Sequence, residues 1–168
     1  MTRGPVSTNT RDGGSLTIRP TREDDLDGLL EFINGLVDEE APILADRRMT
    51  REEEAAFIRK EIADISAGKK VGLVAELEGK VVGHVDVTRG FGREDHVGTL
   101  GISVTNGFRN QGIGSALMTA ALEEAQNMGL RMVKLGVFDT NDGAIRLYER
   151  FGFQRAGLVA GALRYKGG

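Results

Sequence analysis

The 168-residue sequence predicts an α/β domain in which a mixed, mostly antiparallel sheet carries helices on both faces. Short strand-like runs and segments of helical periodicity follow the order β-α-α-β-β-β-α-β-α-β. The runs at 71–78 and 81–88 are separated only by Glu78-Gly79-Lys80, a hairpin connection. The run at 96–104 instead passes through a glycine-containing turn into a helix, with another strand beyond it, which makes one parallel crossover.

Residues 1–14 are polar and read as a flexible tail ahead of a domain spanning 15–168. Leu16-Thr17-Ile18-Arg19 alternates apolar and polar side chains, a short strand. Thr21 with Asp24 marks a helix start, and Leu26, Leu29, Leu30, Ile33 and Val37 follow at helical spacing until Pro42 bounds the segment. Thr50 with Glu53 is a capping box opening a second helix through Ala56, Ile58, Ile62 and Ile65 to Gly68. After the hairpin, residues 90–95 form a loop. The helix after the glycine turn places Ile113, Leu117, Ala121, Ala125 and Met128 on one face. Residues 132–138 form a strand, 142–150 a last helix, and the chain from Phe153 reads as extended, with a strand at 157–165.

Composition removes several chemistries. Cysteine is absent, so disulfides, thiolate metal ligation and a cysteine acyl-enzyme are excluded. His84 and His96 are the only histidines, so a histidine-built metal site has little to draw on and no metal is expected. With a net charge of −3 and no basic stripe interleaved with aromatics, nucleic acid gains no electrostatic handle. No apolar run approaches the roughly 20 residues that cross a bilayer, and residues 1–14 lack the apolar stretch of a signal peptide. A cytoplasmic protein that binds no membrane is the expectation.

The chemistry concentrates at Arg109-Asn110-Gln111-Gly112-Ile113-Gly114-Ser115. A strand turning through this loop into a helix leaves the first helical N–H groups without internal partners. With the positive end of the helix dipole they make a seat for an anion such as a pyrophosphate. A Walker loop would need Lys-[Ser/Thr] after its second glycine, and a dinucleotide fold would need a third glycine where Leu117 stands. A tight turn packing helix on strand accounts for the glycines alone equally well.

Two stretches together narrow the choice. Arg109, Gly112 and Gly114 match [Gln/Arg]-x-x-Gly-x-[Gly/Ala], and Asn141, Ala144, Leu147, Tyr148, Gly152 and Phe153 match Asn-x-x-Ala-x-x-Leu-Tyr-x-x-x-Gly-Phe. From about Leu16 to its end the chain resembles the GNAT superfamily of acetyl-CoA-dependent N-acetyltransferases. The resemblance implies a sheet splayed at a V-shaped cleft. It implies a CoA pyrophosphate wrapped by Arg109, Asn110, Gln111, Gly112, Ile113, Gly114 and Ser115, and a pantetheine arm along Ile102, Ser103 and Val104. It also implies contact of Asn141 with that arm and Tyr148 as the acid for the departing thiolate. Asn141 also suits a helix cap and Tyr148 a core position.

The reaction implied is direct attack of a primary amine (small molecule, polyamine or protein amine) on acetyl-CoA, with the Val104 N–H polarising the carbonyl. Many relatives place a glutamate where this chain has Thr99. The proton acceptor is therefore sought among Glu40, Asp86, His96 and a water relay. The acidic run Asp38-Glu39-Glu40 borders the acceptor cleft in the family, and Glu40 is taken as the substrate contact. The family's last strand is missing from the pattern, which suggests truncation or strand exchange in a homodimer. The alternatives are a non-catalytic acyl-CoA-binding sensor or subunit and, more remotely, a nucleotide-binding regulatory domain.

Overall fold

In the structure, a computed structural model, residues 4–164 are described. Six strands form one sheet in sequence order: β1 (Val6–Asn9), β2 (Ser15–Pro20), β3 (Lys70–Leu77), β4 (Lys80–Arg89), β5 (Val97–Val104) and β6 (Met132–Lys134). Neighbours are antiparallel except β5 and β6, which run parallel. Helices α1 (Leu26–Asp38) and α2 (Arg51–Ser66) follow β2, α3 (Ile113–Asn127) links β5 to β6, and α4 (Asp142–Arg150) follows β6.

Each face of the sheet owns a core. On one, Leu29, Phe32 and Leu36 of α1 fall at i, i+3 and i+7 and pack with Ile58 of α2 on Val74 and Val81. On the other, Ile113, Leu117, Met118 and Ala121 of α3 pack on Val85, Val87 and Leu100, joined by Tyr148. The alternation of β4 divides the two: Val85 and Val87 enter the α3 core, while His84 and Asp86 face α2.

Several sequence expectations are corrected. The stretch expected to be a tail contains β1, paired with β2 from Val6↔Ile18 to Asn9↔Ser15; residues 1–3 lie outside the described residues. β1 is an edge strand with three of its four side chains exposed, so it carries no hydrophobic period to read. Thr21 does not cap a helix, because its hydroxyl donates to Glu61 at 2.6 Å. The chain instead enters α1 through a 3₁₀ turn at Glu23–Asp25, where the Asp25 carboxylate accepts from the Arg22 amide at 2.8 Å and from the Arg19 guanidinium at 2.7 and 2.9 Å.

The strand expected over 132–138 is confined to Met132–Lys134, since its last backbone pairing with β5 is Thr99↔Lys134 and periodicity alone does not show where a ladder ends. The strand expected at 157–165 is absent over 157–164, where Leu158 and Val159 are exposed; Tyr165 lies outside the described residues. The Thr50–Glu53 capping box, the hairpin and α4 form as expected.

Candidate active site

The parallel pair β5–β6 holds for three residues, Val97↔Met132 to Thr99↔Lys134. Beyond Thr99 only the β4 side of β5 is paired, with Ile102, Ser103 and Val104 opposite Val85, His84 and Gly83. Among the described residues the other edge of β5 therefore has no strand partner beyond Thr99. A strand edge offers N–H and C=O groups in the repeat that an amide-containing arm matches.

At the end of that edge the loop 105–112 turns into α3. Gly112 is the N-cap residue with φ +85°, a conformation L side chains rarely adopt, and it supplies no side-chain cap. The first intrahelical bond is Ala116 N–H to Gly112 C=O at 3.0 Å. Among the described residues the N–H groups of Ile113, Gly114 and Ser115 have no backbone acceptor. Gly114 also allows a close helix contact, since a Cβ there would lie 3.2 Å from Leu147 of α4.

Three braces hold the loop. Arg11, in the β1–β2 turn, donates its amide to Gln111 C=O at 3.1 Å and its guanidinium to Asn110 C=O at 3.3 Å. Gln111 Nε2 donates to Gly107 C=O at 3.2 Å. Arg109 donates Nε to Val104 C=O at 3.0 Å and pairs through Nη2 with Glu39, which lies just beyond α1. The structure thus brings Arg109 to Glu39 instead of leaving its charge unpaired. Asn110, at φ 63°, is one of three non-glycine residues in the left-handed region among the described residues.

Tyr148 of α4 is 8 % exposed in the α3-side core, with its ring 5.9 Å from that of Phe153. Burial pushes its phenol pKa up, so the hydroxyl keeps its proton through the neutral range. Asn141 does cap α4: its Oδ1 accepts from Ala144 N–H at 3.3 Å.

The candidates for proton acceptor disperse. His96 precedes β5, eight residues from Val104 along an extended strand, and its ring lies 3.7 Å from Asp95, remote from the loop. Asp86 is bound to Lys70 at 2.9 Å. Glu40 is an exposed residue at φ 54° past the end of α1. Of the acidic run, Asp38 pairs with Arg48 and Glu39 with Arg109, so both charges are already matched. Thr99 is exposed on β5.

Sequence reasoning missed the polar cluster between α2 and the sheet. The Glu61 side chain is fully buried. It accepts from Thr21 at 2.6 Å, faces His84 Nε2 at 2.9 Å, and lies 3.3 Å from Lys70 Nζ. Burial alone would raise its pKa, but the His84 hydrogen bond and charge, the Thr21 hydroxyl and Lys70 outweigh this and hold it at about 2. His84 is pulled down by burial and up, with the larger net effect, by its hydrogen bond to Glu61 and the charges of Glu61 and Asp86. Phe57 sets its ring edge-on to His84 at 6.3 Å and under Lys70 Nζ at 5.1 Å. A Cβ at Gly72 would collide with the Glu61 carboxylate, so that strand position must be glycine for the acid to fit. The available signal was Glu54 and Glu61, seven apart, on the helix face that also buries Ile58.

The site thus combines a sheet split beside a parallel pair with a helix N-terminus that no side chain caps at the end of the split. The chain belongs to the acetyltransferase (GNAT) family, whose model matches residues 33–153. It is 37% identical over 87 residues to L-amino acid N-acetyltransferase AaaT of Escherichia coli K12, covering 51% of this chain and 54% of that protein. The match thus spans about half the length of that curated relative. Among solved structures, a GNAT-family acetyltransferase from Streptococcus pneumoniae superposes with a TM-score of 0.71 at 30% identity, covering 84% of this chain and 86% of that one. A ribosomal-protein-alanine N-acetyltransferase from Brucella melitensis gives 0.75 at 29%, covering 83% and 85%. No helix among the described residues is long and apolar enough to cross a membrane.

Proposed function

We propose that this protein transfers an acetyl group from acetyl-CoA to a primary amine by direct attack, both substrates being bound together. The observation that carries this reading is the trio of N–H groups at Ile113, Gly114 and Ser115, without an acceptor among the described residues, at the far end of the loop that follows the open edge of β5. Three donors at a positive helix end suit a diphosphate, and the open space at Gly112 leaves room for one to approach. Arg109, Asn110 and Gln111 shape the rest of the seat, and Ile102, Ser103 and Val104 line the carrier arm. Asn141 contacts that arm while capping α4.

The chemistry then falls to few groups. The Val104 N–H polarises the thioester carbonyl, and Tyr148, kept protonated by burial, gives its proton to the departing sulfur. The relatives named for L-amino acid and ribosomal-protein-alanine acetylation support a small amine or a protein amine as acceptor.

Calorimetry with CoA, followed by thiol release from acetyl-CoA against a panel of amino acids, polyamines and peptides, tests the proposal. Binding with turnover on at least one amine is the expected result. Tight binding without turnover on any amine would instead make the chain an acyl-CoA sensor. Absence of affinity in folded protein would overturn the reading altogether.

A further inference from the structure

The proposed transfer needs a group that takes a proton from the incoming ammonium, which at neutral pH holds all but about one part in a thousand of an amine with a pKa near 10.4. Resting on that reading, we propose that His84, oriented by Glu61, is this proton acceptor and so a catalytic residue.

Placement is the first argument. His84 pairs across the sheet with Ser103, next to Val104 at the end of the open β5 edge. Side chains of paired strand residues stand about 5 Å apart at Cβ and share a face. That face is the α2 side, where Thr99 and Gly101 of β5 are exposed. Tyr148 belongs to the core on the opposite face. A thioester lying along the β5 edge would thus have a phenol on one side and an imidazole on the other. The imidazole keeps 15 % of its side-chain surface exposed.

The hydrogen-bond logic is the second. A carboxylate with a pKa of about 2 is ionised at working pH and can only accept. The Nε2 facing Glu61 at 2.9 Å must therefore carry the hydrogen, which leaves the lone pair of the neutral ring on Nδ1. No hydrogen-bond partner for Nδ1 occurs among the described residues. A carboxylate fixing the tautomer of a histidine base is a recurrent device.

The charged groups around the ring are Glu54 and Glu61 from α2, Lys70 from β3 and Asp86 from β4; β5 brings only uncharged Thr99, Gly101 and Ser103 to that face. The step balances. One proton leaves the ammonium for Nδ1 and passes to solvent, and the free amine forms the C–N bond as the C–S bond breaks. The second proton lost by nitrogen replaces the one that Tyr148 gives to sulfur.

His84→Gln, whose amide N–H still reaches Glu61, tests the assignment on the full chain with acetyl-CoA and the best amine of the panel. Turnover should fall about 10²–10⁴-fold, with the KM for acetyl-CoA unchanged. Because only the neutral ring accepts a proton, wild-type kcat/KM should rise with pH through a midpoint above 6.5, and His84→Gln should lose that limb. Glu61→Gln removes the anion that raises the histidine pKa, so its limb should shift to lower pH. Side-chain ¹⁵N NMR should show Nε2 protonated and Nδ1 bare in the neutral ring. A His84→Gln enzyme that keeps its turnover and its rising limb, or a neutral ring protonated at Nδ1, would overturn the assignment. If the protein binds no CoA, it is the transfer reading that fails, whatever the tautomer.

Discussion

Helices α2 and α3 begin in opposite ways. At α2 the Thr50 hydroxyl accepts from Glu53 N–H at 3.2 Å, and the Glu53 carboxylate accepts from Thr50 N–H at 2.9 Å. Three glutamates, Glu52, Glu53 and Glu54, occupy its first turn and complement the dipole. At α3 the N-cap is a glycine without a side chain, the first turn has no acid, and three N–H groups stay open. The contrast teaches that orphan donors at a helix start can be capped by side chains for stability or left available for a ligand. α3 can leave them open because Ile113, Leu117, Met118 and Ala121 anchor it in the core, while the loop is braced by Arg11 and by the Arg109–Glu39 pair.

If the open end only holds the carrier, holding and reacting must separate on mutation. Tyr148→Phe keeps the ring against Phe153 and removes only the hydroxyl. We expect turnover to fall about 10²–10⁴-fold while CoA affinity by calorimetry stays within twofold. An unchanged rate would remove Tyr148 from the chemistry.

Gly112→Glu attacks the contrast itself, by giving α3 the acid it lacks. The new side chain meets φ +85° and a like-charged diphosphate. CoA affinity should drop about 10–100-fold, roughly 1.4–2.7 kcal/mol, with the circular dichroism spectrum retained. Wild-type affinity in this variant would mean that the diphosphate sits elsewhere.

Both helix starts were legible in the sequence. Thr50 and Glu53 state a capping box in four residues, and the glycine turn states its opposite, so both ends could be read from spacing. The same holds for α4, where Asn141 and Tyr148 fall in one motif. Other features depend on which side of an element is covered, and that is decided by tertiary contacts. His84 and Asp86 alternate with Val85 and Val87 like the wet face of a half-buried strand, yet α2 lies over them and makes a buried network. Glu61 reads as a solvated helix residue until Gly72, across the interface, makes room for it. β1 is held by backbone pairing, to which side-chain periodicity gives no clue. Glu39 and Arg109 are 70 residues apart, and only the fold makes them neighbours.

The smallest expected effect isolates the closed end. Thr50→Ala removes one half of the α2 capping box and leaves the Glu53 N–H to water. Such a change removes about 1 kcal/mol of stability, to be measured as a lowered urea midpoint at constant m-value. α2 carries Glu54, Phe57 and Glu61 but no part of the α3 donor trio, so affinity for CoA should not move. The reciprocal pattern, affinity lost with stability kept, is what Gly112→Glu should give. If Thr50→Ala instead weakened CoA binding, the polar cluster under α2 would be coupled to the diphosphate seat, and the division of labour between the two helix ends would have to be abandoned.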